Sequence, residues 1–308
     1  MEKERTKVCL KTVALKIFFS LLSIFLISFL ITISTTPSIN LAQKNKLYQK
    51  LKKQINRKIL SLDFEAAYLI KDLDFYNLKI SEKENKLFPA ASLIKLPILA
   101  VSFFAIEEER ISLQTTIIIQ KKDIVGGSGI LKTKAVPIKL TFEELLEAMI
   151  LYSDNTATNK IIDILGIDYL NSVFKKIGLK HTYLKRKMMD FSKRKKGVEN
   201  YTSISDIAYL FEKIYNRKLF NEKYSKLALT YLLNQKINDR LPKYLPPQAK
   251  VAHKTGLERG VVHDAGIVFT PKGNYLICIF TKNVKKFKNA KEFIAVLSKL
   301  TYNYYQLY

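Results

Sequence analysis

Residues 92–109, SLIKLPILAVSFFAIEEE, are apolar on nearly every side until the closing acidic residues. A helix of that composition has no face to offer to water, so it belongs inside a layer of other elements. Pro97 is tolerated because it falls near the helix start. One residue contradicts the composition: Lys95, three positions after Ser92. Positions i and i+3 of a helix share a face, so Lys95 is expected one turn above Ser92, within reach of its hydroxyl. A serine is a poor nucleophile without an adjacent base. A lysine amine becomes such a base only when burial or a neighbouring cation lowers its pKa. The S-x-x-K spacing alone decides little, since it recurs at Ser172/Lys175 and Ser192/Lys195, neither on a buried apolar helix.

Upstream of this run, Leu47, Leu51, Ile55 and Ile59 recur every four residues and predict an amphipathic helix over 45–60. EAAYLIKDLD and FYNLKIS read as a pair of strands. Downstream, Thr141 and Glu144 form a capping box at the start of LTFEELLEAMILY. NKIIDILG continues as a helix that stops at Gly166, and residues 203–215 and 222–234 are also helical in pattern. KVAHKTG, AGIVFTP and NYLICIFTK read as successive antiparallel strands. A last helix over 289–303 puts Phe293, Val296, Leu297 and Leu300 on one face. The order predicts an α+β fold. Its antiparallel sheet, flanked by helices, comes from residues 45–100 and 245–308, and an all-helical subdomain from 101–244.

The first sixteen residues are basic, and residues 17–33, IFFSLLSIFLISFLITI, carry no charge. At about 1.5 Å per residue this run just spans a bilayer, and its basic flank keeps the N-terminus inside. Residues 1–42 are therefore expected to be a cytoplasmic basic stretch with a membrane anchor, or a signal segment cleaved at a rough match ending at Ala42. Residues 45–308 then form an extracytoplasmic catalytic domain, in the periplasm or at the cell surface. Cys9 and Cys278 fall on opposite sides of that segment, which argues against a disulfide or a thiol metal site. The net charge of +25 would suit a polyanion, but lysine is spread along the whole chain beside abundant Ile and Asn and no Trp, the mark of a genome's nucleotide bias. No nucleic-acid motif accompanies it, so no nucleic-acid partner is expected. A Ser-His-Asp reading fails. His253 points to the strand face opposite Lys254, adjacent His263 and Asp264 point apart, and GGSGI has Ile130 where a nucleophile elbow needs glycine.

SLIK is followed by SDN at Ser153–Asn155 and KTG at Lys254–Gly256, each of the latter occurring once. Alone, SDN also reads as helix capping and KTG as an ordinary strand turn. The three in this order form the set shared by class A β-lactamases and penicillin-binding proteins. The chain resembles the class A branch more closely, through FPAASLIKLPIL, GGSGIL at 126–131, LTFEELLEAMILYSDNTATN and VAHKTG…VVHDAGIV, across roughly residues 60–305. The resemblance implies a Ser92 acyl-enzyme with Lys95 as base and Ser153 as proton shuttle to the leaving nitrogen. It implies Asn155 as a substrate hydrogen-bonder, Lys254 and Thr255 as carboxylate binders, and Gly256 as the residue that lets ligand backbone approach. The backbone N–H groups of Ser92 and Leu257 would form the oxyanion hole. It implies no metal or other cofactor, a monomer, and a β-lactam or peptidoglycan stem peptide as substrate.

The family's water-activating glutamate has no counterpart in LKRKMMDFSKRKKGVENYTSISDIA. Its position falls near residues 187–189, and the nearest carboxylates are Asp190 and Glu199, the first a shorter-reaching replacement and the second a loop residue. The expected activity is β-lactam hydrolysis slowed at deacylation. The alternatives are a D-alanyl-D-alanine carboxypeptidase or related penicillin-binding enzyme, and a wall-binding or sensor protein without turnover.

Overall fold

Helix α1 (Leu41–Leu60) and helix α9 (Phe287–Tyr305) cover one face of a five-stranded antiparallel sheet of order β2-β1-β9-β8-β7. A computed structural model of the chain describes residues 41–75 and 78–307. The expected membrane anchor at 17–33 lies outside them, and among the described residues no helix is long and apolar enough to cross a membrane. The sheet strands are β1 (Glu65–Asp72), β2 (Lys79–Glu82), β7 (Lys250–Glu258), β8 (Val261–Thr270) and β9 (Gly273–Lys282). Successive residues point to opposite faces of a strand. Ile277 and Ile279 accordingly join Tyr48, Leu51, Ile55, Ile294 and Leu297 in one core, while Leu276, Cys278 and Phe280 join a second core beneath the helical layer. Both faces of the central strands are covered, which explains their near-continuous apolar runs.

The expected strand FYNLKIS is shorter than its pattern suggests. Pairing runs only from Tyr68↔Glu82 to Lys71↔Lys79. Asp72 Oδ1 accepts the N–H groups of Asp74 (2.9 Å) and Phe75 (2.8 Å), and this Asx turn bends the chain before the strand starts.

The run beginning at Ser92 also starts differently. Ala91–Ile94 form a 3₁₀ turn, and the α-helix proper, α2, spans Lys95–Glu107. It is buried as expected, packed among α3 (Phe142–Leu151), α4 (Asn155–Leu165), α5 (Ile167–Lys176) and α7 (Ile204–Tyr215). The Thr141–Glu144 capping box is present, with Thr141 accepting from Glu144 N and Glu144 accepting from Thr141 N. Short strands β3 (Phe88–Pro89) and β6 (Tyr201–Thr202) pair beside the Ser92 turn, and β4 (Thr116–Ile119) pairs with β5 (Ile138–Thr141). A five-residue helix α6 (Phe191–Lys195) and helix α8 (Glu222–Leu233) complete the order. The fold is α+β, an antiparallel sheet flanked by helices with a helical layer against one face.

Candidate active site

Three elements converge on Ser92: its own 3₁₀ turn, the break between α3 and α4, and edge strand β7. Ala91, just before Ser92, has φ +44°, and Ser153 in the break has φ +53°. Non-glycine residues adopt that region at a cost, and such strain gathers where a side chain must be aimed. His263 helps hold the turn. Its Nδ1 accepts from Thr281 N (3.1 Å), so its Nε2–H donates to Pro89 O (2.9 Å), two residues before Ala91. Burial lowers the His263 pKa to about 4, and the ring stays neutral.

Lys95 is fully buried at the start of α2. Its Nζ lies 2.5 Å from Ser153 O, 3.1 Å from Ser153 Oγ and 2.8 Å from Asn155 Oδ1. On the other side of the same hydroxyl, Lys254 Nζ donates to Ser153 Oγ (3.0 Å) and to Thr255 O (3.0 Å). Ser153 therefore bridges two buried amines. Burial holds the Lys95 pKa well below its ordinary value, the Lys254 charge lowers it further, and Asp154 opposes both. Burial likewise lowers Lys254 to about 7, with Asp264 raising it and Arg240 lowering it. A neutral Lys95 accepts from Ser153 Oγ–H while that oxygen accepts from Lys254, a continuous path for one proton. The structure differs from the sequence expectation at one contact: among the described residues no hydrogen bond joins Lys95 to Ser92, whose hydroxyl faces the groove one turn away.

Both readings of SDN are realised, on different residues. Asp154 is the cap, its Oδ1 accepting from Ala157 N (2.9 Å) and its Oδ2 from Leu131 N (2.8 Å). Ser153 and Asn155 point to Lys95, and Asn155 Nδ2 also donates to Gly126 O (3.0 Å). The GGSGIL segment closes over this corner. Gly127 has φ +79°, and a Cβ there would lie 2.6 Å from Asn155 Nδ2. In KTG, the glycine serves its neighbours rather than a ligand: a Cβ on Gly256 would press against His263 Cβ at 3.2 Å and Leu93 Cγ at 3.4 Å. Gly256 thus lets β7 lie against the Ser92 turn. Ser92 and Leu257, the expected oxyanion donors, line the same groove, and Thr255 lines a smaller hollow beside them.

That hollow reveals a residue the motifs do not mark. Arg240 is 1% exposed, and its Nε and Nη1 have no hydrogen-bond partner. Nη1 lies 3.2 Å from Asp239 Oδ1, but the geometry makes no hydrogen bond. A buried guanidinium without acceptors is costly unless a ligand supplies them, and Arg240 faces the space shared with Ser92, Ser153 and Thr255. Its sequence context, NDRLPKYLPP, has no periodicity that would single it out. A His–Asp pair exists too, though not the adjacent one. His253 Nδ1 lies 2.9 Å from Asp264 Oδ1, but its Nε2 meets Asn238 Oδ1 (3.1 Å), and among the described residues no serine hydrogen-bonds to it.

Both candidate deacylation bases hold other contacts. Asp190 caps α6, accepting from Lys193 N (3.0 Å). Glu199 is buried against Arg186 (2.6 Å) and Asn200 N (2.7 Å). Met188 and Met189, within the positions 187–189 expected for the glutamate, line the groove, and Asn159 clamps Met188 through both backbone groups (2.7 and 3.0 Å).

Comparison with known proteins places this geometry in context. A sequence model described as "Beta-lactamase enzyme family" matches residues 49–305. Beta-lactamase BRO-1 of Moraxella catarrhalis is 28% identical over 235 residues, 72% of this chain and 74% of its own. Beta-lactamase CARB-3 of Pseudomonas aeruginosa is 26% identical over 75% of this chain and 80% of its own. Among solved structures, PBP-A superposes with a TM-score of 0.76 at 31% identity, covering 84% of this chain and 97% of PBP-A. A point mutant of PBP-A, solved as an acyl-enzyme with penicillin G, gives 0.75 at 30% identity over 88% of this chain and 99% of its own.

Proposed function

The chain belongs to the beta-lactamase enzyme family, and on that premise we propose that it opens β-lactams through a Ser92 acyl-enzyme and releases the product slowly. The observation that carries this is the buried Lys95–Ser153–Lys254 array beside Ser92. Ser92 Oγ attacks the β-lactam carbonyl carbon, and neutral Lys95 takes the hydroxyl proton. The developing oxyanion is received by the backbone N–H groups of Ser92 and Leu257, a kind of donor pair that is usually a large part of catalysis. As the C–N bond breaks, the ring nitrogen takes a proton from Ser153 Oγ, which is resupplied from Lys95. Lys254, Thr255 and Arg240 offer the cationic and hydroxyl groups for a substrate carboxylate, and Asn155 a hydrogen bond to the acyl amide.

Release of the acyl group needs an activated water. A positioned general base is worth about 10²–10⁴-fold, and the groove offers methionines where that base would stand. The same observation supports a second reading, a penicillin-binding enzyme acting on D-alanyl-D-alanine ends, because PBP-A is 31% identical to this chain. The third, a wall sensor without turnover, shares the acylation step. We place residues 45–308 outside the membrane on an anchor or signal at 1–42, acting as a monomer.

Intact-mass measurement over time with penicillin G tests this. A Ser92 adduct that forms quickly and decays slowly, with penicilloate released, is the expected result. An adduct that never decays, with D-alanine released from a wall pentapeptide, selects the second reading. Absence of any adduct, with Ser92→Ala indistinguishable from the parent, removes the shared mechanism.

A further inference from the structure

The groove beside Ser92 is larger and differently charged than the acylation chemistry requires. Its volume is about 960 Å³, at the upper end of the roughly 300–1,000 Å³ usual for small-molecule sites. It runs from Ser92 past the 186–195 segment to the β7–β8 turn and the start of α9. Phe191, Leu257 and Phe287 line it and are exposed at 46%, 39% and 39%. Exposed apolar side chains gathered at one mouth mark a surface that expects a ligand, and adjacent Met188 and Met189 can reshape to fit one.

Charge distinguishes the far end. Four cations line the groove: Arg186, Arg194, Lys195 and Arg259. Two are already neutralised, Arg186 by Glu199 (2.6 Å) and Glu258 (2.7 Å), and Arg194 by Glu258 (3.0 Å) and Glu199 (3.3 Å). Glu258 is the sole carboxylate among the lining residues, and it is consumed. Among the described residues no carboxylate pairs with Lys195 or Arg259. The chain's general lysine richness does not explain this arrangement, because the local acids are spent holding the groove's wall together and the surplus falls at its outer end.

We infer that the groove is an acyl-chain subsite selecting substrates whose acyl side chain is apolar near the scissile bond and carries a carboxylate at its far end, received by Lys195 and Arg259. The inference rests on the Ser92 acylation reading and adds the substrate class. A peptide stem with an acidic residue upstream of the cleaved bond has this chemistry, and so does a β-lactam with a dicarboxylic acyl chain.

Two penicillins that differ only at the end of a five-carbon acyl chain test it, one glutaryl, ending in a carboxylate, the other pentanoyl, ending in a methyl group. The readout is the ratio of their second-order rate constants for Ser92 adduct formation by intact mass. The parent protein should prefer the glutaryl compound. In Lys195→Gln/Arg259→Gln the ratio should fall about tenfold, the size expected for losing two exposed ion pairs, and 0.5 M salt should lower it in the parent. A ratio equal in parent and variant overturns the subsite. Failure of both compounds to acylate the parent removes the acylation reading, and the subsite falls with it.

Discussion

Lys95 is the residue on which the chemistry turns. It is buried with Ser153 Oγ at 3.1 Å and Lys254 just beyond, a setting that holds its pKa well below the ordinary lysine value, first through burial and then through the Lys254 charge. Lys95→Ala should therefore slow formation of the Ser92 adduct by about 10²–10⁴-fold, measured as a second-order rate, with the adduct mass unchanged. The pH profile follows from the second amine. Lys254 has a pKa lowered to about 7, so it is cationic below that pH and neutral above it. Acylation by a carboxylate-bearing β-lactam should accordingly decline as pH rises through about 7, when the anchor cation is lost. In Lys254→Arg the guanidinium stays charged, and the decline should move to higher pH; an unchanged limb would assign it to another group. Met188 carries the complementary prediction. Its backbone is fixed by Asn159, and it lines the groove at the edge of the apolar core. Met188→Glu puts a carboxylate there, and decay of the penicilloyl adduct should quicken, up to about 10²–10⁴-fold, as read by mass against time.

Among the elements, the segment from Arg186 to Asn200 puts Met188 in the apolar core and is otherwise held largely by ion pairs and hydrogen bonds. Arg186 is 2% exposed and joins Glu199 and Glu258, so it ties the segment to the end of β7. Arg194 adds a second crosslink through Glu258 and Arg259 O. Removing one partner of a buried pair costs about 3–5 kcal/mol, because the other charge stays behind. Arg186→Ala should lower the thermal midpoint by several degrees and raise hydrogen exchange in 186–200 before the rest of the chain. Sequence patterns serve elements like these unequally. The capping box at Thr141, the apolar helix after Ser92 and strands β7 to β9 were legible because they rest on local spacing. The short start of β2 was not, since an aspartate's bond to two following amides overrides a favourable pattern. Nor was the work of Gly256, which depends on Leu93 and His263 arriving from elsewhere. The motif residues could be named from their order alone, yet their contacts span 58 and 101 positions of chain. Arg240 belongs to no motif, and only its burial without an acceptor draws attention to it.

At the scale of the molecule, the site lies on one side of the sheet and the helices that cover its outer face lie on the other. Helix α1 contributes Tyr48, Leu51 and Ile55 to the core shared with α9. Its Lys44 reaches Asp72 (3.2 Å), the same carboxylate that accepts from Tyr305 OH (2.9 Å). The two ends of the described chain are thereby fastened to the last residue of β1. Burying three such side chains contributes roughly 1.5–3 kcal/mol each, a sum comparable with the roughly 5–15 kcal/mol net stability of a folded protein. The start of the folded unit is therefore set by α1 and not by the first strand. A protein beginning at Leu41 should fold cooperatively and acquire the Ser92 adduct at the full-length rate, since every residue of the site follows that point. One beginning at Ser61 keeps the entire site but exposes Ile277, Ile279 and Phe293, and should be insoluble or lack a cooperative thermal transition. Equal transitions for the two truncations would show that α1 merely covers the sheet, and would move the responsibility for its outer face to α9 alone.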